Sequence, residues 1–158
     1  MNSLSRQFSE HIKSSDYLAS KAIIFIDSRV SRCDYLVQQA TPEARVFVLG
    51  LLADGINAIT HTLNSSACQA VALVCLGAPG CLYLGRDELS LNTLIQHESK
   101  IKTWFQLARP SLVKPQLNLY GNNVAAGDVG TEFFHKLRSV TGAEIAASSN
   151  VYRSGIFN

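Results

Sequence analysis

The sequence predicts a three-layer α/β fold, a mostly parallel central sheet flanked by helices. Short apolar runs rich in β-branched residues recur along the chain, and Gly, Ser or Asp follows each of them. Segments with apolar residues at helical spacing lie between the runs. Strand and helix therefore alternate, which an open sheet with crossover helices on both faces satisfies.

The first strand is Ala22-Ile-Ile-Phe-Ile26, a continuous apolar run followed by Asp27 and Ser28, as expected of a strand buried on both faces. Asp34 to Ala40 is read as a helix, and Arg45-Val-Phe-Val-Leu49 as the second strand, closed by Gly50. Asp54 to Leu63 places Ile56, Ile59 and Leu63 on one helical face. The third strand runs from Ala70 to Cys75. Cys81-Leu-Tyr-Leu84 sits between Ala78-Pro-Gly80 and Gly85-Arg-Asp87, too close to both for a crossover helix, so a small hairpin or edge strand outside the parallel set is expected. One helix is predicted over Asn92 to Ala108, with Leu94, Ile95, Ile101, Phe105 and Ala108 as its apolar positions. Gln116 to Tyr120 is the fourth strand, and Asp128 to Val140 a helix with Asp128 as N-cap and Gly142 as stop. Ala143 to Ala147 is the last strand. The organisation is a polar lead over residues 1–21 and a single domain over 22–158, with its compact part from about Ala22 to Ser149.

Composition narrows the function. The 158 residues, 47% of them hydrophobic, suit one domain with one core. Fourteen basic against twelve acidic side chains leave a net charge of +2, scattered along the chain, so nucleic acid is not an expected partner. The longest apolar stretch, Ala70 to Ala78, falls far short of the roughly 20 residues that span a bilayer, and the protein is not expected to be membrane-spanning. The lead lacks the apolar segment of a secretory signal, and a cytoplasmic place, or one peripheral to a larger assembly, is expected. Cys33, Cys68, Cys75 and Cys81 form no C-x-x-C pair and have no His at zinc-finger spacing; they read as free thiols, and no metal or cofactor is expected.

In open α/β sheets ligands bind outside the carboxyl ends of the strands. The informative loops are therefore Cys75-Leu-Gly-Ala-Pro-Gly80 and Tyr120-Gly-Asn-Asn-Val-Ala-Ala-Gly127, with the serines after Ala147. The glycines and asparagines of the second loop suit an anion cradle, but Asp128 at the helix start opposes an anion and the Lys-Ser/Thr of a P-loop is missing. Tight turns and backbone-bonding Asn side chains are the simpler explanation.

Four motifs stand in order: FIDSRV, GAPG-x-L-x-LG, LYG-x-NVAAG-x-x-G-x-x-F and TGA-x-I-AAS. Together they resemble an uncharacterised domain family whose members commonly sit at the N-terminus of very large bacterial surface and adhesin-like proteins with calcium-binding or cadherin-like repeats. That family is similar in turn to the caspase, gingipain and separase group, in which a His at the end of one central strand and a Cys at the end of the next form a catalytic dyad. The resemblance implies a caspase-like fold and the patterns S-H-G-A-P-G and L-Y-G-C-N-V-A. Here the dyad positions are Leu76 and Asn122, within Cys75-Leu-Gly-Ala-Pro-Gly80 and Leu119-Tyr-Gly-Asn-Asn-Val-Ala125. Thiol proteolysis needs a thiolate and a base that takes and returns its proton, and neither leucine nor an amide supplies one.

The expected function is therefore that of a pseudoenzyme, a non-catalytic protein-interaction or structural subunit whose partner is a protein, in a complex or homo-oligomer. No catalytic residue is expected, and Cys75, Gly77, Gly121 and Asn123 are candidates to line the crevice beside Leu76 and Asn122. Two alternatives stand beside it: a hydrolase using a relocated Cys such as Cys75, and small-molecule binding in the vacated crevice. Against the first, alternation along a strand turns Cys75 away from the crevice. His61, His97 and His135 fall on helices among polar neighbours, and His11 lies in the lead.

Overall fold

The computed structural model describes residues 22–108 and 113–148. The chain runs β1 (Ala22–Asp27), α1 (Cys33–Gln39), β2 (Arg45–Leu49), α2 (Gly55–Ser65), β3 (Ala70–Val74), β4 (Leu76–Ala78), β5 (Cys81–Leu84), β6 (Asp87–Ser90), α3 (Leu91–Gln96), α4 (Glu98–Ile101), β7 (Gln116–Tyr120), α5 (Gly127–Thr141) and β8 (Glu144–Ala147). Five strands form a sheet in the order β2-β1-β3-β7-β8, and every neighbouring pair in it is parallel. All five are strands expected from the apolar runs, and the sheet lies between helical layers as expected.

Alternation sorts the strand residues onto two faces. Ile24, Ile26, Ala72 and Val74 pack under α1 through Leu36, forming a small core. Ile23, Phe25, Val71, Leu73, Leu117, Leu119 and Ile145 face the other way, into a larger core closed by α2, α3, α4 and α5. Trp104 is buried there and donates its indole N–H to the Thr60 hydroxyl at 2.9 Å, so its polar atom is satisfied.

Three local expectations need correction. The third strand stops at Val74, one residue early. Leu76–Ala78 then pairs antiparallel with Cys81–Leu84, which pairs antiparallel with Asp87–Ser90, so the expected hairpin is a three-stranded sheet of its own, set apart from the parallel five. The helix expected over Asn92 to Ala108 is broken. α3 starts at a capping box between Ser90 and Thr93, ends at His97, and α4 follows for four residues. The Thr103 hydroxyl then binds the Lys100 carbonyl at 2.6 Å and the backbone proceeds in turns, a local side-chain bond competing with the helix while Ile101, Trp104 and Phe105 reach the core. Finally, α5 is capped at Ala126 without a side-chain bond, and Asp128 lies inside its first turn. Gly142 does end that helix, its N–H bonded to the Arg138 carbonyl.

Among the described residues, no helix is long and apolar enough to cross a membrane.

Position in these layers predicts stability. Leu73 on β3 is fully buried, whereas Val48 on the edge strand β2 is 49% exposed. Leu73→Ala is expected to lower the unfolding free energy by about 3 kcal/mol, and Val48→Ala by about 0.5 kcal/mol or less. Urea denaturation followed by circular dichroism measures both, and equal losses would contradict the layering.

Candidate functional site

At the carboxyl edge of the sheet, β3 and β7 lead into two loops that touch backbone to backbone. The ladder extends one step past β3, the Cys75 N–H donating to the Tyr120 carbonyl at 3.0 Å. Beyond it the chains approach because two facing residues lack side chains. A Cβ on Gly77 would lie 3.2 Å from the Asn122 carbonyl oxygen and 3.3 Å from its nitrogen. One on Gly121 would lie 3.0 Å from a Leu82 methyl and 3.7 Å from the Gly77 Cα. Both glycines are thus contact surfaces, and they bring the residues beside them, Leu76 and Asn122, to one place.

That place is a crevice of about 360 Å³. Leu76, Asn122, Cys75 and Gly121 border it together with Val74 and Tyr120, and the far wall is Val30, Ser31, Arg32 and Leu36 from the loop after β1 and from α1. Gly77 stands behind the lining and supports it. Asn123 faces a neighbouring cavity of about 330 Å³, shared with Val124, Ala125, Ala126, Ala147 and Ser148, and Gly121 borders both. Asn123 has φ 56°, a left-handed conformation that Asn tolerates better than most residues, and its carbonyl accepts the Ala126 N–H at 2.9 Å.

Among the described residues, Arg32 is the one charged residue of the crevice lining, and no His, Asp or Glu borders it. Cys75 has its side chain in the larger core, on the far side of the sheet from Val74, and is 5% exposed. Burial, with help from the Asp27 charge, pushes its thiol up to about 12. The Cys81 thiol, also buried, is pushed up to about 11 by burial and by its bond to Glu88. His61 and His135 are exposed and His97 is half-buried; none borders the crevice, and His11 lies outside the described residues. Among the described residues, no three His, Cys, Asp or Glu side chains gather as a metal site would require.

The loop after β1 was not singled out from the sequence, yet it supplies the far wall and a buried ionic cluster beside it. Asp27, at the end of β1, is 0% exposed. Its carboxylate accepts the Gly85 N–H at 2.7 Å, the Arg29 N–H at 2.9 Å, and the Arg29 guanidinium at 2.8 and 2.9 Å; Arg29 also donates to the Gly85 carbonyl at 2.8 Å. Around this knot the Arg86 N–H bonds to the Ala53 carbonyl, the Arg86 side chain bonds to Asp54, and Asp87 caps α2 through the Ile56 N–H at 2.9 Å. The FIDSRV motif carried the signal: an acid two residues before an arginine, after a strand too apolar to leave a carboxylate unpaired.

Burial alone would raise the Asp27 carboxyl, but the Arg29 side chain, the Arg29 and Gly85 N–H groups and the Arg29 charge outweigh it and hold the carboxyl below its usual range. A carboxyl depressed on folding stabilises above its unfolded pKa of about 3.9, and that contribution is lost as pH falls through the folded value. Asp27→Asn, which keeps the shape and removes the charge, is expected to cost roughly 2 kcal/mol near neutral pH. The gap between wild type and variant should narrow below about pH 4. Urea midpoints across that range check it, and a gap that stays constant into acid would show that the charge contributes nothing.

A family model described as a domain of unknown function, DUF4347, matches residues 23–154. No curated protein and no solved structure matches the chain.

Proposed function

We propose a non-catalytic role for this chain, which belongs to the DUF4347 family: a protein-interaction or structural subunit that keeps a caspase-like frame without its chemistry. One observation carries the reading. The two loops held together by Gly77 and Gly121 bring Leu76 and Asn122 to a single crevice, at the positions where the resemblance puts a His and a Cys. A leucine 38% exposed and an exposed amide transfer no proton and form no acyl bond there. Such a surface is suited to binding, and a protein partner is the proposed one, with no part for nucleic acid.

The relocated-thiol alternative loses support on chemical grounds. A thiol held near 12 supplies almost no thiolate at neutral pH, and Cys75 lies on the wrong side of the sheet. None of the four cysteines is joined in a disulfide, in keeping with the proposed place in the cytoplasm or peripheral to a larger assembly.

Restoring the missing groups tests the reading. Leu76→His with Asn122→Cys is expected to place imidazole and thiol within reach, and a nearby imidazolium lowers the thiol below its free value of about 8.5. The double variant should therefore alkylate with iodoacetamide near neutral pH several times faster than Asn122→Cys alone, at unchanged circular dichroism. Equal rates in two folded variants would mean the positions do not form a vestigial pair. The interaction half is tested by sedimentation velocity, where the chain should run in a complex or oligomer above its own 17.2 kDa. A clean monomer that retains no protein on affinity capture would overturn that half.

A further inference from the structure

The crevice lining specifies more than the absence of catalysis. Its volume of about 360 Å³ lies at the small end of ligand pockets, which run from about 300 to 1,000 Å³. It has room for one large side chain and the group attached to it. Leu36, Val74, Leu76 and Val30 make its wall apolar, while Arg32 gives it one sign of charge. The acids nearest in sequence do not border the crevice. Asp27 is consumed by Arg29 and Gly85, and Asp34 is exposed and does not border the crevice.

Arg32 is also held in place. Its backbone is left-handed, φ 61°, and its guanidinium lies over the Tyr35 ring at 4.2 Å from the centroid. Stacking uses the face of the guanidinium and leaves its in-plane N–H donors, whose fork matches a carboxylate. Asn122, exposed on the opposite wall, adds an amide donor.

We propose that this crevice docks the C-terminus of a partner polypeptide that ends in an apolar residue. The last side chain lies against Leu36, Val74 and Leu76, and the α-carboxylate takes the Arg32 fork and the Asn122 amide. An internal acidic residue fits less well. In an extended segment neighbouring side chains point to opposite faces, so the carboxylate and an adjacent apolar group would not enter one small crevice. At a C-terminus both groups hang from the same carbon. The proposal rests on the docking reading above and names what is docked.

Fluorescence polarisation with purified chain and fluorescein-Gly-Gly-Ser-Ala-Leu, as the free acid and as the carboxamide, tests it. The acid should bind saturably and the amide roughly tenfold more weakly or worse, since a charge-assisted pair is lost. Arg32→Gln should reduce acid binding to the level of the amide, and Leu76→Asp should abolish it. Acid and amide binding alike, no saturable binding of either, or full binding by folded Arg32→Gln would overturn the proposal. If Arg32→Gln does not fold, Leu76→Asp and the wild-type comparison of acid with amide decide. Hexanoate binding as tightly as the peptide would assign the crevice to small carboxylates and overturn the peptide claim. Mass spectrometry of the recovered peptide separates the two readings. Cleaved peptide would overturn the non-catalytic role, whereas intact and unbound peptide would overturn the docking proposal alone.

Discussion

The Asp27 carboxylate is the point on which the carboxyl edge of this molecule depends. A buried charge is costly unless its lone pairs are filled, and here two backbone N–H groups and a bidentate guanidinium fill them. The donors come from two distant segments, the loop after β1 and the Gly85 turn between β5 and β6. Satisfying one carboxylate therefore fixes the small antiparallel sheet against the large parallel one. Through Gly85 and Arg86 the constraint reaches Ala53 and Asp54, and through Asp87 it reaches the start of α2. Leu82 of β5 lies under Gly121, so the seat of the β7 loop is fixed by the same small sheet.

The crevice inherits its shape from this arrangement and its chemistry from the faces of the sheet. Val74, Leu76, Tyr120 and Asn122 belong to the side covered by α1, and that helix is short, so the core there is thin and open at its edge. Cys75 and Asp27 point to the other side, into or beside the larger core. The sheet thus turns the Cys75 thiol and the Asp27 carboxylate away from the crevice. Among the described residues, apolar side chains, an amide and Arg32 border the crevice, and on that lining the proposed docking role rests.

How much of this was legible follows from the physics of each signal. The strands announced themselves because a strand buried on both faces has to be apolar throughout, as Ala22-Ile-Ile-Phe-Ile26 and Ala70-Val-Ala-Leu-Val74 are. The pair Leu76 and Asn122 was legible only through the family resemblance, whose motifs include Gly77 and Gly121; that these glycines permit backbone contact came from the structure. The break at His97 was not legible, since Leu94, Ile95, Ile101, Phe105 and Ala108 fit a continuous helical stripe. Beyond Ile101 the turns follow the burial of Trp104 and Phe105 and the Thr103 hydroxyl competing for the Lys100 carbonyl.

By itself, then, the sequence determined the class of fold and the strands of the central sheet, which depend on local periodicity and residue type, while the two positions without thiol and imidazole were marked by the family resemblance. The tertiary structure alone decided the order β2-β1-β3-β7-β8, and with it which loops become neighbours. That order brings the loop after β1 opposite the loops after β3 and β7, placing Arg32 across from Leu76 and Asn122. No local pattern encodes such a meeting, because it depends on which strands pair across long stretches of chain, a choice made by the packing of the whole core.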